Sequence, residues 1–270
     1  ILAVDGLPIQ QPVRARAALS LSSPDPAADT YAVNAAVAGR TATARRMTVQ
    51  TGQEAPRQLD LPLKSSPQRP DVEGRRLEGG LGYIAIRSFA DTASVAAFDQ
   101  ALAALRDTPA LIIDVRGNGG GDTAVARPIM GRFIAAPQPY ARMRRREGRG
   151  LSRPWTETVD PRGPFTYSKR VVVLTDHWSG SMAEGFPMGM RDIGRARIVG
   201  TRMMGLGAAV FALRLDRTGR QAQYSGEPVY DTQGRPRRLL EPDVEVPENG
   251  DILSTGSIEA LRVTPWPGEK

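Results

Sequence analysis

Cysteine is absent from the 270-residue chain, which excludes thiolate catalysis, zinc–thiolate sites and disulfides. Histidine occurs once, at His177, and the scattered carboxylates give no metal-ligand spacing around it. Neither a metal nor a cofactor is expected. Lysine is scarce as well. Only Lys64, Lys169 and Lys270 are present, so the net charge of +7 rests almost wholly on arginine. No apolar run approaches the roughly 20 residues of a membrane span. The chain opens on ILAVDGLPIQ without a Met, so any targeting signal is expected upstream of Ile1.

Arginine is densest over Arg142–Arg153, RMRRREGRGLSR. Such a run attracts polyanions by counterion release. It has no interleaved aromatics on which bases could stack. It reads as a solvated basic loop, and no nucleic-acid partner is expected.

Hydrophobic residues make up 40% of the chain, near the globular norm. Residues 1–68 read as a small β-rich module. ILAVDGLPI is a strand with an Asp-Gly turn, YAVNAAVAGR a short helix ending at Gly39, RRMTVQTGQ a strand and turn, and LDLPL a further strand. KSSPQRPDVEGRR then reads as a linker. In the remaining residues, 69–270, strand and helix patterns alternate. GYIAIRSF is a strand, and Asp91 or Thr92 caps a helix on which Val95, Phe98, Leu102 and Leu105 recur at helical spacing. ALIIDVR is a buried strand followed by GNGGGD and a mixed helical stretch. VVVLTD, a helix over 182–193 and RIVGT complete the pattern. This order predicts an α/β domain with βαβ crossovers.

Ligands of open α/β sheets sit beyond the carboxyl ends of the strands, where two loops qualify: GNGGGD and DHWSGSMAEG. A dinucleotide fingerprint fails because the glycines are spaced GxGxG, and a Walker loop fails for want of GK[ST]. In the second loop Ser179 and Ser181 stand at a strand-to-helix junction. Serine there caps helices; it also serves as a nucleophile when held exposed, with the next N–H free at the helix start.

GYIAIRSF, LIIDVRGNGGGD, VVVLTDHWSGSMAEG with its following helix, and EPDVEV, in this order, resemble the carboxy-terminal processing (tail-specific) serine proteases and the related tricorn core. The resemblance covers about residues 78–250. It implies a crotonase- or ClpP-like spiral of βαβ units as the catalytic core, preceded by a partial PDZ-like module. It also implies a polypeptide substrate and a periplasmic or otherwise exported location. The family's nucleophile falls on Ser181, with Ser179 as the alternative. The oxyanion hole falls on Gly120, with Gly121 beside it, and the N–H of Met182. The pattern breaks at the family's dyad lysine, whose place in MMGLG is taken by Leu206, and at a glutamine replaced by Val210.

About six strand residues, roughly 20 Å, separate Lys169 from the Ser181 end of the sheet. Three options remain for the proton acceptor: His177, a group upstream of Ile1, or none, the last being a peptide- or ligand-binding protein that keeps the fold. Glu227 falls near the place of an acidic orienter and otherwise pairs with an arginine. Asp114 and Arg116 are expected to form a pair fixing the glycine loop, and Glu184 to benefit from the helix dipole.

Overall fold

The computed structural model describes residues 1–21, 23–38, 43–62 and 69–246. They form two compact units, Ile1–Arg69 and the residues from Pro70 onward. In the first, β1 (Ala3–Val4) turns through Asp5 and Gly6 into β2 (Leu7–Pro8). Both turn residues have positive φ, 52° and 81°, as the tight Asp-Gly hairpin requires. Helices α1 (Gln10–Arg14) and α2 (Pro26–Ala38) follow, then β3 (Arg45–Val49) and β4 (Arg57–Leu61). The strands form an antiparallel sheet in the order β2-β1-β3-β4. The second helix begins five residues before the expected Tyr31 start because Pro26 suits a first helical position, where no N–H is needed. Its expected end, Gly39, lies outside the described residues.

The second unit begins with a correction. Val72–Arg76 is not linker but strand β5, paired antiparallel with β6 (Gly82–Ile86). Only Val72 of its five residues is buried, so the edge strand shows none of the alternation that betrays a strand. Then come α3 (Ala93–Ala104), β7 (Ala110–Asp114), α4 (Thr123–Met130), β8 (Gln138–Met143), β9 (Arg146–Glu147), β10 (Gly150–Leu151) and β11 (Trp155–Val159). The chain continues through β12 (Arg170–Thr175), α5 (Met182–Asp192), β13 (Arg197–Gly200), β14 (Ala208–Arg214), β15 (Gln221–Tyr230) and β16 (Val244–Glu245).

Two sheets result. The larger runs β16-β13-β12-β7-β6-β5, parallel throughout except at β5. Its inner strands are apolar on both faces, as parallel strands covered on both sides must be. Ile84, Ile86, Leu111, Ile113, Val171 and Val173 face one cluster, and Tyr83, Ile112, Val172 and Leu174 another. The second sheet, β11-β8-β15-β14, is antiparallel. The basic run is therefore not a loop. It spans the end of β8 and the β9–β10 hairpin, with most of its arginines exposed.

Helix α5 forms against its own composition. Gly185, Gly189 and Pro187 together cost about 5 kcal/mol relative to alanine. Met182, Phe186, Met188 and Met190 are at most 5% exposed, and burying each contributes about 1.5–3 kcal/mol. Burial wins. Phe186 also stacks on Phe89, with centroids 5.3 Å apart.

At the carboxyl end of β13, Gly200 has φ +138°, and a Cβ there would lie 1.9 Å from the Thr175 carbonyl oxygen. Gly200→Ala is expected to cost about 2–3 kcal/mol. Gly234→Ala, at φ +88° in open space, should cost about 1 kcal/mol. Denaturant midpoints compare the two, and equal shifts would refute the clash.

Candidate active site

Four adjacent strands of the parallel sheet send their carboxyl-end loops to one place. Val115–Asp122 follows β7 and Asp176–Ser181 follows β12, and hydrogen bonds knit the two together. Asp176 Oδ1 accepts the N–H groups of Gly117 and Trp178, both at 3.0 Å. The Gly180 N–H donates to the Asn118 carbonyl at 2.9 Å. Ser179 is fully buried within this web. Its Oγ accepts the Asp176 N–H and lies 2.9 Å from the Val115 carbonyl and 3.1 Å from Asp176 Oδ1. That hydroxyl is consumed in fixing the loop, so Ser179 is not the exposed serine.

Ser181 is. It is partly exposed, and its side chain is turned to the Glu184 N–H in a capping box with that residue. Its backbone sits at φ 54°, ψ −114°, a conformation that costs a non-glycine residue about 1–3 kcal/mol. Such strain at a strand-to-helix turn lifts a side chain clear of its neighbours. Met182, at the first helical position, has no intrahelical acceptor for its N–H.

Glu184 holds the strain in place. Buried at 1% exposure, its carboxylate accepts the Ser181 N–H at 2.8 Å, the Gly205 N–H at 2.7 Å and the Leu206 N–H at 3.0 Å. Arg237, itself buried, has Nε 3.9 Å from that carboxylate and donates to the carbonyls of Leu206 and Ala208. Burial pushes the Glu184 carboxyl above its ordinary range, while Arg237 and the three N–H groups act in the opposite sense. Burial likewise lowers Arg237.

Gly120, at φ +106°, is packed against the elbow: a Cβ there would lie 2.6 Å from Ser181 Cβ and 2.9 Å from the Met182 nitrogen. Its N–H, expected to face an oxyanion, instead donates to Asn118 Oδ1 at 2.8 Å. Asn118 is fully buried and donates in turn to the Ile86 carbonyl at 2.9 Å. Gly121 bridges to Phe89, where a Cβ would strike the backbone at 2.2 Å.

The remaining sequence candidates fall elsewhere. His177 is exposed, with its ring against Trp178 at 5.3 Å, and no hydrogen bond joins it to Ser181. Glu227 accepts from Arg145 in an ion pair of 2.6 Å, the alternative the sequence had left open. Lys169 donates to the carbonyls of Arg106 and Thr108, at the far end of the sheet from Ser181. Asp114 and Arg116 do pair, at 2.7 Å, and Tyr83 donates to the same carboxylate at 2.8 Å. Burial, reinforced by that carboxylate, pushes Tyr83 up to about 12.

Leu206 reaches the elbow. Its Cδ1 would lie 3.3 Å from a Cβ on Gly180. An aliphatic side chain thus stands against Gly180, the residue before the serine, where the family resemblance puts an amine. Next to Ser181 opens a cavity of about 470 Å³, walled by Tyr140, Met143, Met182, Met188, Val210 and Val229. Sequence reasoning missed Asn118, Tyr140 and Arg237. Nothing in RPRRLL separates the buried Arg237 from Arg235 and Arg238. Among the described residues no three of His, Asp and Glu are placed to hold a metal ion.

Comparison with known proteins bears on the whole of this region. The chain is 29% identical over 136 residues to the carboxy-terminal processing protease CtpB of Bacillus subtilis (strain 168). That stretch is 49% of this chain but only 27% of the relative's length. Among solved structures, mature CPAF superposes with a TM-score of 0.68 at 17% identity, covering 91% of this chain and 71% of its own. The photosystem II D1 C-terminal processing protease gives 0.62 at 18% identity, over 97% and 66%. These two show a shared mixed α/β fold. Residues 80–246, which hold the elbow, its Glu184 anchor, the glycine loop and the cavity, match peptidase family S41. With more than half of its length in that match, the chain belongs to peptidase family S41.

Proposed function

We propose that this chain carries the core of a serine endopeptidase of the carboxy-terminal processing type, with Ser181 as nucleophile and polypeptides as substrates. The observation that carries the reading is the strained Ser181, partly exposed at the mouth of a largely apolar cavity and next to the unspent N–H of Met182. In the proposed step Ser181 Oγ attacks a peptide carbonyl carbon, the C–N bond breaks after a tetrahedral intermediate with the amine taking the proton that left Oγ, and water then hydrolyses the acyl-enzyme ester. The Met182 N–H steadies the developing oxyanion. Gly120 joins it when its N–H exchanges Asn118 Oδ1 for that oxygen. Donors aimed at charge that develops only in the transition state contribute more than equal binding of the ground state.

The Ser181 proton needs an acceptor, and a lone hydroxyl is a weak nucleophile. His177, Glu227 and Lys169 are engaged or placed as described above, and Leu206 has no basic atom. We assign the base to a group outside the described residues. Residues 1–68 are read as a partial PDZ-like module and 69–270 as the catalytic core, a crotonase- or ClpP-like spiral. The antiparallel sheet flanked by α2 supports the first reading, and the repeated parallel βα units β6-α3-β7 and β12-α5-β13 the second. An exported, periplasmic setting follows from the same resemblance. Among the described residues no helix is long and apolar enough to cross a membrane.

A fluorophosphonate probe is expected to label the protein with its complete N-terminus and not its Ser181→Ala variant; absence of labelling in the former would leave the non-catalytic binding protein. Gly120→Ala should slow labelling about 10²–10³-fold, the usual cost of a lost oxyanion donor. Circular dichroism checks that the variant is folded. Leu206→Lys puts an amine beside Ser181, and labelling should accelerate about 10²-fold or more, rising with pH as the amine deprotonates. A rate unchanged at every pH would show that residue 206 does not reach the hydroxyl.

A further inference from the structure

The cavity beside Ser181 is not uniformly apolar. Tyr140, 3% exposed, and Arg237, 5% exposed, both line it. Tyr140 Oη has no hydrogen-bond partner among the described residues. Arg237 uses Nε and Nη2 on the carbonyls of Leu206 and Ala208, and leaves Nη1 without a partner. Neither the Tyr140 oxygen nor this Arg237 nitrogen is among the enclosed unpaired atoms of the described residues, so both open onto the cavity, where a ligand's polar groups can meet them.

Helix α5 carries two glycines on this face. A Cβ on Gly185 would lie 3.5 Å from Arg237 Nη1 and 2.8 Å from Met182 Cε. A Cβ on Gly189, one turn on and on the same face, would lie 2.9 Å from Tyr140 Cδ2. Gly189 lets the Tyr140 ring lie against the helix, whereas a Cβ on Gly185 would crowd Met182 and meet the guanidinium only at ordinary contact distance.

Charge narrows the ligand. The Arg237 cation is faced by Glu184 at 3.9 Å, and Asp122 stands on the cavity rim. A second carboxylate entering here would meet two acids and one cation. A lysine would meet the guanidinium. A neutral amide meets neither penalty: its oxygen accepts from Arg237 Nη1 and its NH₂ group donates to Tyr140 Oη. The methionine and valine walls suit a short methylene stem.

Resting on the peptidase reading above, we infer that this cavity binds the side chain of the residue whose carbonyl Ser181 attacks, and that it selects glutamine. That side chain is the one within reach, because its carbonyl must stand between Ser181 Oγ and the Met182 N–H, both on the cavity wall. Tyr140 and Arg237 are then specificity-determining residues.

The test uses the full chain and peptides differing only at the attacked residue: Gln, Met, Leu, Glu or Lys. Cleavage is read as kcat/KM. Binding of the same peptides to the Ser181→Ala protein is read in parallel by calorimetry. Glutamine is expected to exceed methionine, its near isostere, by about tenfold or more in both readouts. Tyr140→Phe, which removes one oxygen, should reduce the Gln-to-Met ratio several-fold; Arg237→Met should do the same, but it also frees two carbonyls and can unfold the loop. Methionine or leucine binding as well as glutamine would overturn the assignment, and so would glutamate binding as well as glutamine. So would a Gln-to-Met ratio unmoved by Tyr140→Phe. Preferential glutamine binding without cleavage of any peptide would reject the peptidase reading and keep the pocket. Cleavage with leucine or methionine ahead would do the reverse, and binding of no peptide would overturn the pocket.

Discussion

A single buried carboxylate sits under everything else at the site. Glu184 accepts N–H groups from residue 181 on one side and residues 205 and 206 on the other, with the Arg237 guanidinium nearby. A buried carboxylate without such partners would cost several kcal/mol or give up its charge. With them, its oxygens are occupied and the strained turn at Ser181 gains a bond that a relaxed turn would forfeit. The strain is therefore local, while its compensation reaches across β13 into the next loop.

The glycines do complementary work. Gly120, Gly121 and Gly200 sit where strand ends press backbone on backbone, and any Cβ there would strike a neighbour. The parallel sheet can bring its carboxyl-end loops this close only because those positions carry no side chain. Gly185 and Gly189 play the same part on α5, toward side chains instead of backbone. Close packing at these points makes the site a property of the whole sheet edge and not of one loop.

Much of the second unit was legible in the sequence, for identifiable reasons. GYIAI, ALIID and RVVVLT are apolar throughout because parallel strands are covered on both faces, and such runs stand out. The junction at Ser181 was legible because a small-residue loop follows an apolar strand. The edge strand Val72–Arg76 was hidden by its charges, since an edge facing water need not alternate. The β14–β15 hairpin was hidden for a similar reason: Val210, Phe211, Leu213 and Tyr224 are apolar yet largely exposed, so no buried face marks the pattern. Its one local sign was the turn segment DRTG. The Asn118 bond to Ile86 and the Arg237 bonds to Leu206 each span more than 30 residues, and no local pattern encodes them. Ser179 and Ser181 looked interchangeable until the web around Asp176 separated them.

Residue 206 is held by its main chain: Glu184 takes its N–H and Arg237 its carbonyl, whatever the side chain. The scaffold that poses the serine and the group that would take its proton are thus separate parts. Exchanging a lysine there for a leucine leaves these main-chain bonds in place. Chemistry at this position can drift while the architecture stays still, and the same mounting remains open to a base delivered from elsewhere.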